Sequence, residues 1–205
     1  MAYTGMRHPV FAPVESYTPG QSIIYGQGVV LGKAIDATIT PESANAELFA
    51  DNELAESDNS MIGATIAMTV DDMMHKTGVV ALGLKERTVN GKTAYSITSK
   101  ASPYGCVGWL EEKVLEGAYS YIVKFAHRVQ LGRSAMNSAT KGRQLTYQTV
   151  PLTGRVLAAE LDESREKYWI DEIPVETEAE GLTLLDELAH VSAAQSAAVE
   201  EEDDL

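Results

Sequence analysis

The chain reads as mainly β: a β body with one long projecting loop, a short helix and a helical ending. Three observations predict this. Tyr119-Ser120-Tyr121-Ile122-Val123-Lys124-Phe125 puts aromatic or β-branched residues at every odd position, and a period of two marks a strand with one buried face. The pattern resumes over Arg143–Thr149 and again over Leu152–Val156, after a long polar excursion bearing Gly, Ser and Asn. Asn90-Gly91, between Thr88-Val89 and Lys92-Thr93, predicts a two-residue hairpin, because both residues tolerate the positive φ of a type I′ turn.

Taken in order, residues 1–20 contain Pro9, Pro13, Pro19 and Gly20 without a sustained period, and predict an extended N-terminal arm. Ser22 to Leu31 is β-rich but interrupted by Gly26 and Gly28. Ile35–Ile39 alternates cleanly and is expected to stop before Pro41. A strand over Ala46–Ala50 and a loop from Asp51 to Ser60 follow, and then Ile62, Ala64, Ile66, Met68 and Val70 define one strand face. Asp71 and Asp72 are expected to open a helix running to Leu82, with Thr69 as its N-cap. Gly83 is its natural stop. Gly78 weakens such a helix by about 1 kcal/mol relative to alanine, so packing has to hold it.

Beyond the Asn90-Gly91 hairpin, a strand is expected through Tyr95 and Ile97 to Pro103. The next begins at Gly105 and turns at Glu116-Gly117 into the Tyr119 strand. The stretch from Gln130 to Gly142 has almost nothing apolar to anchor it and predicts an inter-subunit loop. Tyr168-Trp169-Ile170 suggests one more strand, and Thr177 with Glu180 has the spacing of a capping box. Leu182, Leu185, Leu188 and Ala189 then share a helical face. The expected organisation is an arm over 1–20, a β-sandwich body over 21–157, a strand and helix extension over 158–190, and a disordered acidic tail over 191–205.

Composition narrows the function. A chain of 205 residues suits one domain with appendages, and at that size a core needs no disulfide or metal. The single cysteine, Cys106, rules out an intrachain disulfide and reads as a small buried hydrophobe. No apolar run resembles a signal peptide or a membrane span, which predicts maturation in the cytoplasm of the cell that makes it. The net charge of −14 is unevenly spread: residues 1–75 balance at −8, residues 76–159 at +8 and residues 160–205 at −14. That balance disfavours nucleic-acid binding. It suggests that the basic block meets an acidic one, within one subunit or between neighbours.

Site chemistry is missing from the sequence. His8, His75, His127 and His190 lie far apart, with no carboxylate or cysteine at ligand spacing. Gly26-Gln27-Gly28-Val29-Val30-Leu31-Gly32 approaches a dinucleotide fingerprint but lacks the helix that would offer its N-terminus to a pyrophosphate. The acids from Asp51 to Asp58 lack the alternating oxygens and central glycine of a calcium loop. The pairs Glu111-Glu112 and Asp71-Asp72 are adjacent, and adjacent strand residues face opposite ways. The expectation is a non-enzyme with no cofactor and no metal.

Two longer stretches carry a resemblance. LEEKVLEGAYSYIVKF (110–125), followed by TKGRQLTYQT (140–149) and LTGRV (152–156), resembles the major tail tube proteins of long, non-contractile-tailed bacteriophages. LFADNELAESDNSMIGATIAMTVDDM (48–73) and the helical ending VETEAEGLTLLDELA (175–189) look like the same family. The resemblance implies a β-sandwich of steeply packed sheets with a flanking short helix. It implies six-fold rings stacked into a virion tail tube, assembled in the host cytoplasm. Partners would be further copies of the chain, tail terminator and tail-tip proteins, a tape measure protein inside the tube, and DNA passing through a negative lumen without specific binding.

Within that picture Glu42, Glu47, Asp51, Glu53, Glu56 and Asp58 are expected to contact Arg128, Arg133, Lys141 and Arg143 of a neighbour, and Glu111 and Glu112 to face the lumen. The alternatives are another ring-former, such as a terminator, distal-tail or secretion-tube protein, and a carbohydrate-binding β-sandwich. The last would expose aromatics in a groove, whereas Tyr119, Tyr121 and Phe125 fall on one face with Val123, as in a core.

Overall fold

A computed structural model of the chain describes residues 2–50, 53–115, 118–136, 140 and 148–192. The strands up to the first helix are β1 (Ala2–Ser16), β2 (Ile24–Tyr25), β3 (Val29–Val30), β4 (Ala34–Ser43), β5 (Ala46–Ala50), β6 (Glu53–Asp58) and β7 (Met61–Val70). Helix α1 (His75–Leu82) precedes β8 (Lys85–Val89), β9 (Lys92–Ser96), β10 (Tyr104–Leu115) and β11 (Ala118–Arg133). The chain continues through β12 (Val150–Val156), β13 (Ala159–Glu160), β14 (Lys167–Tyr168), β15 (Ile170–Val175) and helix α2 (Glu178–Leu188). A nine-stranded antiparallel sheet runs β2-β1-β10-β11-β12-β7-β4, with β3 paired to β1 and β15 to β11. The pairs β5–β6, β8–β9 and β13–β14 are separate ribbons. This is the mainly β body that the patterning predicts, consistent with the β-sandwich and short helix that the resemblance implies.

The layers arise at β11. With 16 residues it serves two neighbours along one edge, β15 over Tyr121–Ala126 and β12 over Val129–Arg133, while β10 lines the other edge. The branch through β12 and β7 carries β4 back to within 8 Å of β1. One core cluster, under this branch and α1, contains Phe11, Ile66, Met68, Ala81, Val107, Trp109, Leu131 and Leu152. The second lies on the opposite face of β1, β10 and β11, beneath α2, and contains Val10, Ala12, Cys106, Leu110, Val123, Phe125 and Leu185.

Burial on both faces corrects the expectation of a half-covered strand. Gly105 through Leu110 are all buried, and in β11 Ile122 and Ala126 are buried as well as Val123 and Phe125. Tyr119, expected in the core, lies at the strand end and is 63% exposed. Residues 1–20 are no free arm: β1 pairs with β10 from Ala2↔Val114 to Pro13↔Gly105, and Val10, Phe11 and Ala12 are fully buried. Three apolar residues in succession fit a strand covered on both sides, where alternation disappears.

Other boundaries move for local reasons. Strand β4 continues through Pro41 because it is an edge strand, where a missing N–H is tolerated. The expected loop over Asp51–Ser60 contains β6, paired back onto β5. Helix α1 starts at His75, with Met74 as an N-cap that makes no side-chain bond. The two aspartates expected in its first turn accept backbone amides instead, Asp71 from Lys33 N at 2.8 Å and Asp72 from Met73 N at 2.7 Å. Gly83 closes the helix with a left-handed φ of 66°, and Asn90 and Gly91 take the positive φ of the hairpin turn, at 49° and 75°. The strand after that turn ends at Ser96, short of Pro103. The Glu116-Gly117 turn, the strand over 143–147 and most of the loop beyond Met136 lie outside the described residues, as does the acidic end.

The C-terminal extension is part of the body. Thr177 Oγ1 accepts from Glu180 N at 3.2 Å, as the capping box predicts, while Glu180 Oε2 reaches back to Glu176 N, one residue before the cap. Leu185 seats against Gly108, where a Cβ would come within 2.8 Å of its Cδ2. Gly28 donates to the His190 carbonyl, and a side chain there would overlap the Ala189 carbonyl. Val191 packs on the second cluster, so the fold passes the expected boundary at residue 190. Leu185→Ala should cost about 2–5 kcal/mol through the cavity it leaves, and Gly28→Ala should also destabilise by displacing the end of α2. Urea denaturation measures both; a Leu185→Ala protein as stable as the parent would show that α2 does not hold the core.

Candidate functional site

For a chain expected to act through contacts with its own copies, the site is a surface, and its charges decide which parts are free. Of the acids expected to face a neighbour, Glu42 already has partners: its Oε2 is 2.9 Å from Arg155 Nη2, and its Oε1 accepts from Thr65 Oγ1 at 3.2 Å. Glu47 on β5 and Glu56 and Asp58 on β6 are exposed, and Asp58 Oδ1 accepts from Ser60 N. Glu53 starts β6, and Asp51 lies outside the described residues.

The cations expected opposite them are placed differently. The Arg128 guanidinium stacks on Tyr17 and Tyr104, 4.9 and 5.0 Å from the ring centroids, an arrangement that holds it by cation–π attraction. Arg133 Nη1 contacts Met136 Sδ at 3.7 Å, and its buried Nε has no hydrogen-bond partner. Lys141 and Arg143 lie outside the described residues. Within the chain the described acids of residues 42–58 pair with neither Arg128 nor Arg133.

Glu111 and Glu112, expected to keep a lumen negative, are paired within the subunit. Glu111 accepts from Trp109 Nε1 at 2.9 Å and lies 3.5 Å from Lys124 Nζ, while Glu112 lies 3.5 Å from Arg7 Nη2. Their side chains are only 16% and 18% exposed. Both cations are shared, Lys124 with Glu172 and Arg7 with Glu178, so the cluster keeps more acids than bases.

The C-terminal acidic block meets side chains of both other blocks, Arg7 and His8 from residues 1–75 and Lys124 and His127 from the basic block. Arg7 bonds Glu178 at the start of α2, and His8 Nε2 is 2.8 Å from Asp186 Oδ1 on the same helix. Lys124 Nζ is 3.0 Å from Glu172 on β15, and His127 Nε2 is 3.1 Å from Asp171 Oδ2, without hydrogen-bond geometry. His8 reaches its partner because it sits at an irregularity in the β1 register with φ at 55°, and such bulges re-aim a side chain. Beside His127, Tyr25 donates to its carbonyl at 2.9 Å, and burial holds the Tyr25 phenol far above its usual range. The block charges were the available signal; the register that brings Arg7 and His8 to α2 was not readable locally.

Among the described residues no group of three His, Cys, Asp or Glu could hold a metal, and no helix is long and apolar enough to cross a membrane. Comparison with protein-family models and with curated proteins finds no match. The ion pairs should differ in weight. Arg155 and Glu42 are 62% and 37% exposed, so Arg155→Ala should cost no more than about 1 kcal/mol. Lys124 is 15% exposed and serves Glu111 as well as Glu172, so Lys124→Ala leaves a half-buried carboxylate unpaired and should cost about 1–3 kcal/mol. Equal losses in parallel denaturation curves would show that burial does not set the strength of these pairs.

Proposed function

We propose that this chain is the structural subunit of a bacteriophage tail tube, closing into rings that stack around a channel for DNA. The observation that carries the reading is β structure left open to further pairing. β4 is an edge strand of ten residues, and β5–β6 and β8–β9 stand outside the main sheet. An open edge is an aggregation hazard for a monomer and a joint for a polymer. A head-to-tail contact that closes by rotation makes a ring, and repeated stacking makes a filament. The resemblance in strand and turn wording points the same way. Tail terminator, tail-tip and tape measure proteins would be its partners, and the virion tail its location.

The test is direct. Full-length protein, concentrated or supplied with a tail-tip initiator, should form hollow tubes visible by negative-stain electron microscopy. Single rings that never stack would assign the chain to a terminator or distal-tail role. A monomer at every concentration would overturn assembly and leave a binding module as the better account.

A further inference from the structure

The two free-standing hairpins carry opposite charge. Residues 46–58 contain five acids and no base. In β6 Glu56 and Asp58 are two residues apart, opposite Leu48 and Ala46, and therefore share one face of the ribbon. In the second hairpin the pairs Lys85↔Ser96, Arg87↔Ala94 and Val89↔Lys92 lie on one face, while Glu86↔Tyr95 and Thr88↔Thr93 lie on the other. All three cations of this hairpin thus fall on the same side. Its single acid, Glu86, lies on the opposite side and bonds Tyr95. The Tyr95 ring rests 4.9 Å from His75 of α1, and Lys85, Arg87 and Lys92 are exposed, with Arg87 Nε donating to Ser96 Oγ at 2.8 Å.

Neither hairpin joins the main sheet or the other hairpin within the chain. An isolated two-stranded ribbon is marginal in water, so both gain from a partner. Lys85, Lys92, Glu47 and Glu56 form no ion pair with a described residue. The arginine and histidine partners of the C-terminal block are already engaged with it, and Arg128 is held between two rings.

We infer that the acidic β5–β6 hairpin of one copy docks on the cationic face of the β8–β9 hairpin of the next. This rests on the reading of the chain as a self-assembling subunit, and it replaces Arg128 and Arg133 as partners of residues 42–58. The match is geometric as well as electrostatic. Glu56 and Asp58 are two residues apart on a strand, as are Lys85 and Arg87, so the backbone positions of both pairs repeat at about 6.6 Å. Since the donor and acceptor surfaces are different patches of one chain, the contact is head-to-tail and propagates.

Mixed cross-linking tests it. Ala46→Cys and Val89→Cys are made singly in the full chain, mixed, and treated with a short bis-maleimide. The native Cys106 is buried, and burial pushes its thiol up to about 12, so it stays silent. The expected result is a dimer that forms in the mixture and not from either variant alone. It should be lost with Lys85→Glu and Arg87→Glu, and regained when the acidic partner carries Glu56→Lys and Asp58→Lys. Tubes without the mixed dimer would overturn the hairpin pairing and leave the tube reading intact. A mixed dimer without rings or tubes would keep the pairing and sink the tube. Retention on immobilised single-stranded DNA that depends on Lys85 and Arg87, without a mixed dimer, would overturn the pairing in favour of a nucleic-acid surface.

Discussion

Everything in this fold hangs on the burial of β10 from both sides. Gly105 through Leu110 are enclosed, with Val107 and Trp109 facing one cluster and Cys106 and Leu110 the other. A strand in that position needs two covers, and the chain supplies them from distant parts. The β12–β7–β4 branch and α1 cover one face, and α2 covers the other. The glycines of the strand follow from the same constraint. A Cβ at Gly105 would run into Phe11, and one at Gly108 would lie 2.8 Å from Leu185 and 2.9 Å from Phe125. The space a side chain would occupy is already filled by the flanking strands β1 and β11 and by α2.

Electrostatics then trims what packing leaves. The cations that α2 and β15 meet, Arg7 and Lys124, are drawn from β1 and β11, so the acidic ending is partly neutralised where it touches the sheet. These pairs fix orientation more than they add stability, because several of their members reach solvent. Their placement has a further effect. By engaging Arg7 and Lys124 inside the subunit, they take two cations out of the surface left for a neighbour.

Much of this was legible in the sequence, and the failures have physical causes. The Asn90-Gly91 turn, the β7 face, the capping box at Thr177 and the leucine stripe of α2 are local signals, and each appears where its residues put it. The N-terminal strand was not legible. Prolines at positions 9 and 13 mask its period, and its partner β10 lies about a hundred residues away. The exposed Tyr119 misled for the opposite reason: its alternation is real, but the strand end carrying it runs beyond the cover of α2. Of the candidate surface, the acidity of residues 42–58 was plain. The counterpart proposed above was not, because the cations of β8 and β9 sort onto one face only once the strands are in register.

The pairing of β1 with β10 also sets a timetable for synthesis. Val10 lies opposite Gly108, so beyond the short β2 and β3 the first strand waits for about a hundred further residues before its long partner exists. At ribosomal rates of about 5–20 residues per second, that is on the order of 5–20 s during which Val10, Phe11 and Ala12 lack β10 beside them. The second cluster closes later still, when Leu185 arrives. A growing chain therefore cannot present a finished body early: the long-range register acts as a clock that delays the closed core until the last helix has been made.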